Sequence, residues 1–216
     1  MQAPQAPPPP TRLSLQPALS PSSGFLLPSL HAFPPFFTRQ PNPQTWAHQL
    51  DQWRTLVLAW ARFTRTFRID CSHETCGAEP FANHAIKRQL SLPTLRLVLD
   101  SLVASGSAAW DTTTLFAGGK KSATAPAGAR GGAVWIYWKR PEEWATAIYD
   151  WIKETGQTNS IMTFYELTEG GDLVHTTDFY RLPTPILRKA LDILIKQGKA
   201  QVLKGSGDDG DGVKFV

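Results

Sequence analysis

The sequence predicts an α+β chain built from two repeated units, each of three helices followed by a two-stranded β-hairpin, set behind a proline-rich arm. Three observations predict it. Helix, helix, helix and hairpin can be traced from residue 45 to 138, and the same order recurs from 140 to 216. The stretch Leu99-Asp100-Ser101-Leu102-Val103-Ala104-Ser105-Gly106-Ser107-Ala108 aligns with Leu191-Asp192-Ile193-Leu194-Ile195-Lys196-Gln197-Gly198-Lys199-Ala200, and a Leu-Pro-Thr precedes each. Composition changes abruptly at Phe33. Three helices closed by a hairpin is the winged-helix order. The expected organisation is therefore a disordered Pro/Ser-rich arm over 1–32, a winged-helix domain over 33–139 with a flexible loop at about 113–133, and a second winged-helix domain over 140–216.

The arm carries one charge, Arg12, among Pro, Ser, Ala and Gln, and cannot bury enough apolar surface to offset its ordering entropy. Phe33-Pro34-Pro35-Phe36-Phe37 follows. The first helix is predicted from Thr45, as N-cap, to about Phe67, because Trp46, Leu50, Trp53, Val57, Trp60 and Thr64 recur at spacings of four and three along one helical stripe. A short helix is expected near Phe81–Leu90. Ser91-Leu92-Pro93 opens a third helix, about Thr94 to Ser105, which Gly106 closes. Alternation in Val134-Trp135-Ile136-Tyr137-Trp138 predicts a strand. In the second half, Arg140-Pro141-Glu142-Glu143-Trp144 reads as a helix start with Pro at the first position and acids at the positive end of the macrodipole. A strand at Ile161–Phe164, a short helix at Tyr165–Leu167, a long helix from Thr184 to Gln197 and strands at Ala200–Leu203 and Val213–Val216 complete the plan.

With 42% apolar residues and eight tryptophans, 216 residues suffice for two small cores. The formal charge is only +4, from 22 basic and 18 acidic residues, too thin an excess to imply a nucleic-acid partner despite a pI of about 9.2. Two cysteines, no Asn-X-Ser/Thr sequon and no signal-peptide pattern at Met1–Pro10 point to a reducing cytosolic or nuclear compartment. No stretch is apolar enough to span a bilayer, so membrane contact is expected only through partners.

No motif assembles catalytic chemistry. Gly205-Ser206-Gly207-Asp208-Asp209-Gly210 has the letters of a dinucleotide fingerprint, yet no helix follows to hold a pyrophosphate and its aspartates would repel one. Gly118-Gly119-Lys120-Lys121-Ser122 lacks the first glycine of a phosphate-binding loop and places lysine where the hydroxyl belongs. Cys71, His73 and Cys76 fall one ligand short of a structural zinc site. His31, His48, His84 and His175 stand in unrelated contexts, with no nucleophile and orienter beside them. A non-enzymatic chain without cofactor or metal is expected. The alternative function is a DNA-binding winged-helix transcription regulator, disfavoured because the candidate recognition helices offer no Asn or Gln flanked by basic residues and the last hairpin carries aspartates.

The segment left unexplained is Pro34-Pro35-Phe36-Phe37. Prolines pre-set the backbone, so little entropy is lost on docking, and two phenylalanines supply apolar anchors worth about 1.5–3 kcal/mol each when buried. They are expected to sit outward as a peg for another protein's groove; the alternative is a strap folded back over their own domain. Together with Gln40-Pro41-Asn42, Gln49-Leu50, Trp53, Leu56-Val57-Leu58, Trp138-Lys139-Arg140-Pro141-Glu142-Glu143-Trp144, Ile148-Tyr149, Trp151, Tyr165-Glu166-Leu167-Thr168 and Gly212-Val213-Lys214-Phe215, this segment resembles the small-subunit family of the ESCRT-II endosomal sorting complex, from about residue 33 to the C-terminus. The resemblance implies two winged-helix domains and a Y-shaped complex holding two copies of the small subunit, each plugged into one of two larger subunits through Pro34, Pro35, Phe36 and Phe37. It also implies recruitment of the ESCRT-III nucleating subunit by the second domain, for which Ile161, Met162 and Thr163 are the expected contacts. Location at the cytoplasmic face of the endosomal membrane and sorting of ubiquitinated cargo into multivesicular bodies follow from the same resemblance. The long leader and the Gly/Ala-rich loop depart from the family's compact pattern.

Overall fold

A computed structural model describes residues 18–20, 23–111, 132–170, 173–203 and 212–216. The arm up to Pro17, nearly all of the 113–133 loop and the Gly205–Gly210 turn lie outside the described residues. The chain divides into two compact units that interleave in sequence: one runs to Thr64 and resumes at Asp70–Ser101, the other holds Arg65–Ile69 and Leu102–Val216.

The first unit is organised around α1 (Pro43–Thr64). Its start is one turn earlier than predicted. Asn42 Oδ1 accepts from the N–H groups of Gln44 (2.9 Å) and Thr45 (3.2 Å), and Pro43 fills the first position where no N–H is needed. Arg65, at φ 53°, ends it before the predicted Phe67. The buried face is also rotated from the expected stripe: Trp53 and Val57 are buried as predicted, but Gln49, Leu56 and Ala61 join them while Trp46, Leu50 and Trp60 stay half-exposed. A one-turn helix, α2 (His73–Gly77), is capped by Ser72. The helix expected near Phe81–Leu90 is instead a hairpin of β4 (Ala82–Asn83) and β5 (Arg88–Gln89). Asn83 Oδ1 accepts from Ala85 N–H (3.0 Å) and Ile86 N–H (3.4 Å), Lys87 sits at φ 53°, and Leu90 N–H closes onto Phe81 O (2.9 Å). A side chain that satisfies the turn's own amides outcompetes the helix.

Residues 23–32, assigned to the disordered arm on composition, are ordered against this unit. β1 (Ala18–Leu19) pairs with β2 (Leu26–Leu27), and a 3-10 turn follows at Ser29–Ala32 with His31 only 2% exposed. Phe25 packs on Phe63 of α1, ring centroids 5.4 Å apart. Composition alone does not see these contacts, because few residues carry them and the α1 surface provides the area.

In the second unit, β3 (Arg68–Asp70, through Ile69), β6 (Ala108–Trp110) and β7 (Ala133–Ile136) form a sheet in the order β3-β7-β6. The strand β3 has no counterpart in the predicted plan. Arg68 is ion-paired with Asp111 at 3.3 Å, whose side chain is nearly sealed. Helix α4 (Pro141–Glu154) starts as predicted, with Glu143 Oε2 accepting from Arg140 N–H at 2.7 Å. β8 (Ile161–Thr163), α5 (Phe164–Thr168), α6 (Thr184–Lys196), β9 (Ala200–Leu203) and β10 (Gly212–Phe215) follow, with sheet order β8-β10-β9. Trp144, Ile148, Ile152, Leu187, Val213 and Phe215 are fully buried in its core. Each such side chain contributes about 1.5–3 kcal/mol by leaving water.

The internal sequence match corresponds to matching geometry. Helix α3 (Leu92–Ala104) ends with Gly106 at φ 75°, Gly106 N–H bonded to Val103 O (3.0 Å) and Ser107 N–H to Leu102 O (3.0 Å). α6 ends with Gly198 at φ 70°, Gly198 N–H bonded to Ile195 O (2.9 Å) and Lys199 N–H to Leu194 O (2.9 Å). The same left-handed glycine cap launches a strand whose first alanine, Ala108 or Ala200, is buried. The fold is α+β, with a helix-and-hairpin unit used twice.

Candidate partner-binding site

Pro34–Phe37 forms a 3-10 turn: Phe36 N–H bonds to Phe33 O (3.0 Å) and Thr38 N–H to Pro35 O (3.1 Å). The proline φ of about −65° suits a 3-10 turn as well as an extended helix, so the two prolines alone do not choose between a strap and a peg. Two residues of α1 choose. Gln49 Nε2 donates to Phe36 O (2.6 Å) and Thr38 O (3.1 Å), and Trp53 Nε1 donates to Phe36 O (3.2 Å). The rings follow inward. Phe36 stacks on Trp53 at 4.1 Å and 6°, and Phe37 meets Trp53 edge-on at 5.7 Å.

Phe36 is 3% exposed and Phe37 4%. The outward peg is therefore corrected: in this chain both rings are sealed in their own unit, because α1 offers a flat indole to stack on and donors for the turn's carbonyls. What faces water is the turn's other side. Pro35 is exposed, Pro34 half-exposed, and Phe33, held just before the turn, is 44% exposed. Phe33 and Pro35 line one of two apolar grooves that share Leu30 and Phe36. One, about 340 Å³, runs along Leu30, Phe33, Pro35, Gln40 and His48; the other, about 430 Å³, along Phe25, Leu26, Pro28, Leu30 and Leu56. Leu26, 59% exposed, adds to this apolar rim. Gln49 and Trp53 were missed as site residues. The available signal was a glutamine on a stripe that otherwise buries apolar residues.

The strap beneath the turn is fixed by His31. Its Nε2 lies 2.8 Å from Pro80 O, which only accepts, so Nε2 carries the proton; Nδ1 is then the acceptor for Asn83 Nδ2 at 3.3 Å. Asn83 Nδ2 also donates to His31 O (2.8 Å), and its Oδ1 is occupied in the turn described above. Burial pushes the imidazole below its ordinary value, against the opposing pull of the Pro80 carbonyl and the Glu79 carboxylate. Phe37 lies edge-on to it at 5.2 Å.

In the second unit, Ile161, Met162 and Thr163 form β8, an outer strand whose register on β10 is Ile161 to Lys214, Met162 to Val213 and Thr163 to Gly212. Ile161 is 60% exposed; Met162 and Thr163 are half-buried. Thr163 caps α5, accepting from Glu166 N–H (3.1 Å) while Glu166 Oε2 accepts from Thr163 N–H (2.7 Å). Leu173, exposed like Ile161, lines with it a cavity of about 590 Å³ together with Trp151, Gln157, Met162 and Glu166, and Tyr165 is exposed on α5.

Among the described residues no three His, Cys, Asp or Glu gather as metal ligands, and burial, reinforced by neighbouring Cys71, pushes the Cys76 thiol up, away from the thiolate a nucleophile needs. No described helix is long and apolar enough to cross a membrane.

The family model for the ESCRT-II complex subunit matches residues 30–183. Vacuolar protein-sorting-associated protein 25 of Danio rerio is 35% identical over 191 residues, covering 88% of this chain and 98% of that protein. The crystal structure of subunit VPS25 of the endosomal trafficking complex ESCRT-II superposes with a TM-score of 0.72 at 25% identity, over 88% of this chain and 98% of that one. A chain of the endosomal complex ESCRT-II (VPS22/VPS25/VPS36) superposes with a TM-score of 0.70 at 24% identity, over 88% of this chain and 98% of that one. The family match over residues 30–183, and matches spanning nearly all of the relatives' length, lead to one conclusion: the chain belongs to the ESCRT-II complex subunit family, as a non-enzymatic component in endosomal sorting related to vacuolar protein-sorting-associated protein 25.

Proposed function

We propose that this chain is an adaptor joining two kinds of partner through separate surfaces. The first surface is built on Pro34–Phe37. The observation that carries it is the locked turn itself: Phe36 and Phe37 hold it inward while Phe33, Pro35 and the flanking grooves leave an apolar, pre-organised face in water. A face that needs no reordering loses little entropy on docking. The larger subunits of ESCRT-II are the partners that fit, because a solved complex of that name holds VPS22 and VPS36 with the relative of this chain. The proline-phenylalanine segment thus acts as a rigid platform rather than as free rings, with two copies of the chain per complex. Residues 33–139 and 140–216 are the two winged-helix domains on this reading, and attachment to the endosomal membrane comes through the complex.

The second surface is β8 and its surroundings. Ile161, Met162 and Thr163, with Tyr165 and Leu173, offer the ESCRT-III nucleating subunit an apolar edge beside Glu166. A helix with an apolar stripe and basic flanks suits it.

Co-expression with the two larger subunits tests the first surface. Phe36→Ala is a poor probe, since a core truncation costs about 3–5 kcal/mol and unfolds what it is meant to test. Phe33→Asp with Pro35→Asp changes exposed residues only. The double variant is expected to keep its unfolding midpoint and lose co-purification; full recovery of the complex would refute this surface.

A further inference from the structure

The hairpin leading into the strap is held by one carboxylate. Ser20 Oγ donates to Glu79 Oε2, and Ser23 Oγ donates to Glu79 Oε1 at 2.7 Å. Ser20 N–H bonds to Phe25 O (2.8 Å) and Gly24 N–H to Ser20 O (3.0 Å), and Ser23 Oγ accepts from Phe25 N–H (3.1 Å). Glu79 precedes Pro80, whose carbonyl receives His31. The loop at residues 79–83 therefore grips the strap at both ends.

Ser20 is followed by Pro21, the dipeptide that proline-directed serine kinases require. Across the sequence a hydroxyl side chain precedes proline at only one other place, Thr184-Pro185, where α6 begins. Both serines lie before Leu30, where the match to the family model begins. The latch's two serines belong to the part of this chain that precedes it, while Glu79 lies within the matched residues.

We propose that Ser20 is a phosphorylation site and that Glu79 makes it a switch. A kinase transfers the γ-phosphoryl group of ATP: the Ser20 Oγ–P bond forms, the bond from that phosphorus to the ADP oxygen breaks, and the hydroxyl proton passes to the kinase's base. A donor to Glu79 is thereby replaced by a group of about −1.5 to −2 charges facing a carboxylate, which repels it. Ser20 is 5% exposed in the closed form, so the kinase acts on the opened hairpin and the phosphate keeps it open. Opening removes Phe25 and Leu26 from the groove beside Phe36. The latch opens or holds in the isolated chain, independently of any assembly.

The full chain is incubated with a proline-directed serine kinase and ATP, the modified residue is located by mass spectrometry, and amide hydrogen exchange is followed at Gly24, Phe25 and His31. Phosphate at Ser20 is expected, with exchange at these amides roughly tenfold faster or more and the second unit unchanged. Glu79→Gln removes the opposing charge and is expected to shrink that acceleration. Ser23→Ala weakens the latch and is expected to speed the transfer. No phosphate at Ser20 under conditions that modify a peptide of residues 14–27 would overturn the proposal. So would a phosphorylated chain whose exchange at Gly24 and Phe25 is unchanged, or an acceleration indifferent to Glu79→Gln.

Discussion

Gln49 decides which way the proline-phenylalanine segment faces. One side-chain amide serves the carbonyls of Phe36 and Thr38 from within a helix, and its Oε1 meets no donor among the described residues. A buried polar group is tolerated only where its bonds are worth the desolvation. Gln49→Leu removes two donors while keeping volume, and leaves the Phe36 carbonyl to Trp53 alone. The expected loss is about 1–3 kcal/mol of unfolding free energy, with Phe33 Cα–Phe37 Cα geometry loosened, measurable by urea titration and by exchange at Thr38 N–H. His31 gives a second prediction. Its neutral form satisfies both neighbours; a proton on Nδ1 would face the Asn83 amide donor. Because the folded value is lowered from 6.5, the unfolded chain binds more protons between the two values, and stability rises with pH across that window. The first unit is expected to be less stable at pH 5 than at pH 7, and His31→Gln to flatten that difference. A wild-type midpoint independent of pH over that range would contradict the assignment.

Among elements, the helices with strong period and clear stops were legible: α3, α4 and α6 carry Pro at or near their start and glycine beyond their end, and the strands β7, β9 and β10 alternate or follow a cap. Those signals are local, and local chemistry settles them. The region from Phe81 to Leu90 was misread as helix because the deciding interaction, the Asn83 side chain on its own turn, competes with periodicity in too short a window. The strap over 23–32 was invisible for the opposite reason: its order depends on Glu79, Pro80 and Asn83, some fifty residues away. The candidate site was legible as a place, through Pro34–Phe37, but not as an orientation, which rests on Gln49 and Trp53. The repeated glycine caps allow a test of the duplication. A Cβ at Gly106 or Gly198 meets nothing within 4 Å, so only the left-handed backbone opposes it. Gly106→Ala and Gly198→Ala are each expected to cost about 1–2 kcal/mol, by nearly equal amounts, in thermal or urea unfolding. A neutral result at either position would mean that the two caps are not equivalent.

At the scale of the molecule, an adaptor needs surfaces that bind without mixing their effects. The exposed apolar residues are distributed accordingly: Leu26 and Phe33 belong to the first unit, Ile161, Tyr165 and Leu173 to the second. Ile161→Asp is expected to weaken capture of the ESCRT-III nucleating subunit roughly tenfold or more while the chain still co-purifies with the larger subunits. Loss of both partners together would show that the surfaces are not separate. The most direct measurement of the platform places a photoreactive phenylalanine derivative at position 33 of the full chain and irradiates it in the assembled complex. Adducts to a larger subunit, abolished when Pro35→Asp is added, are the predicted result. An assembled complex in which position 33 crosslinks to no larger subunit would contradict it.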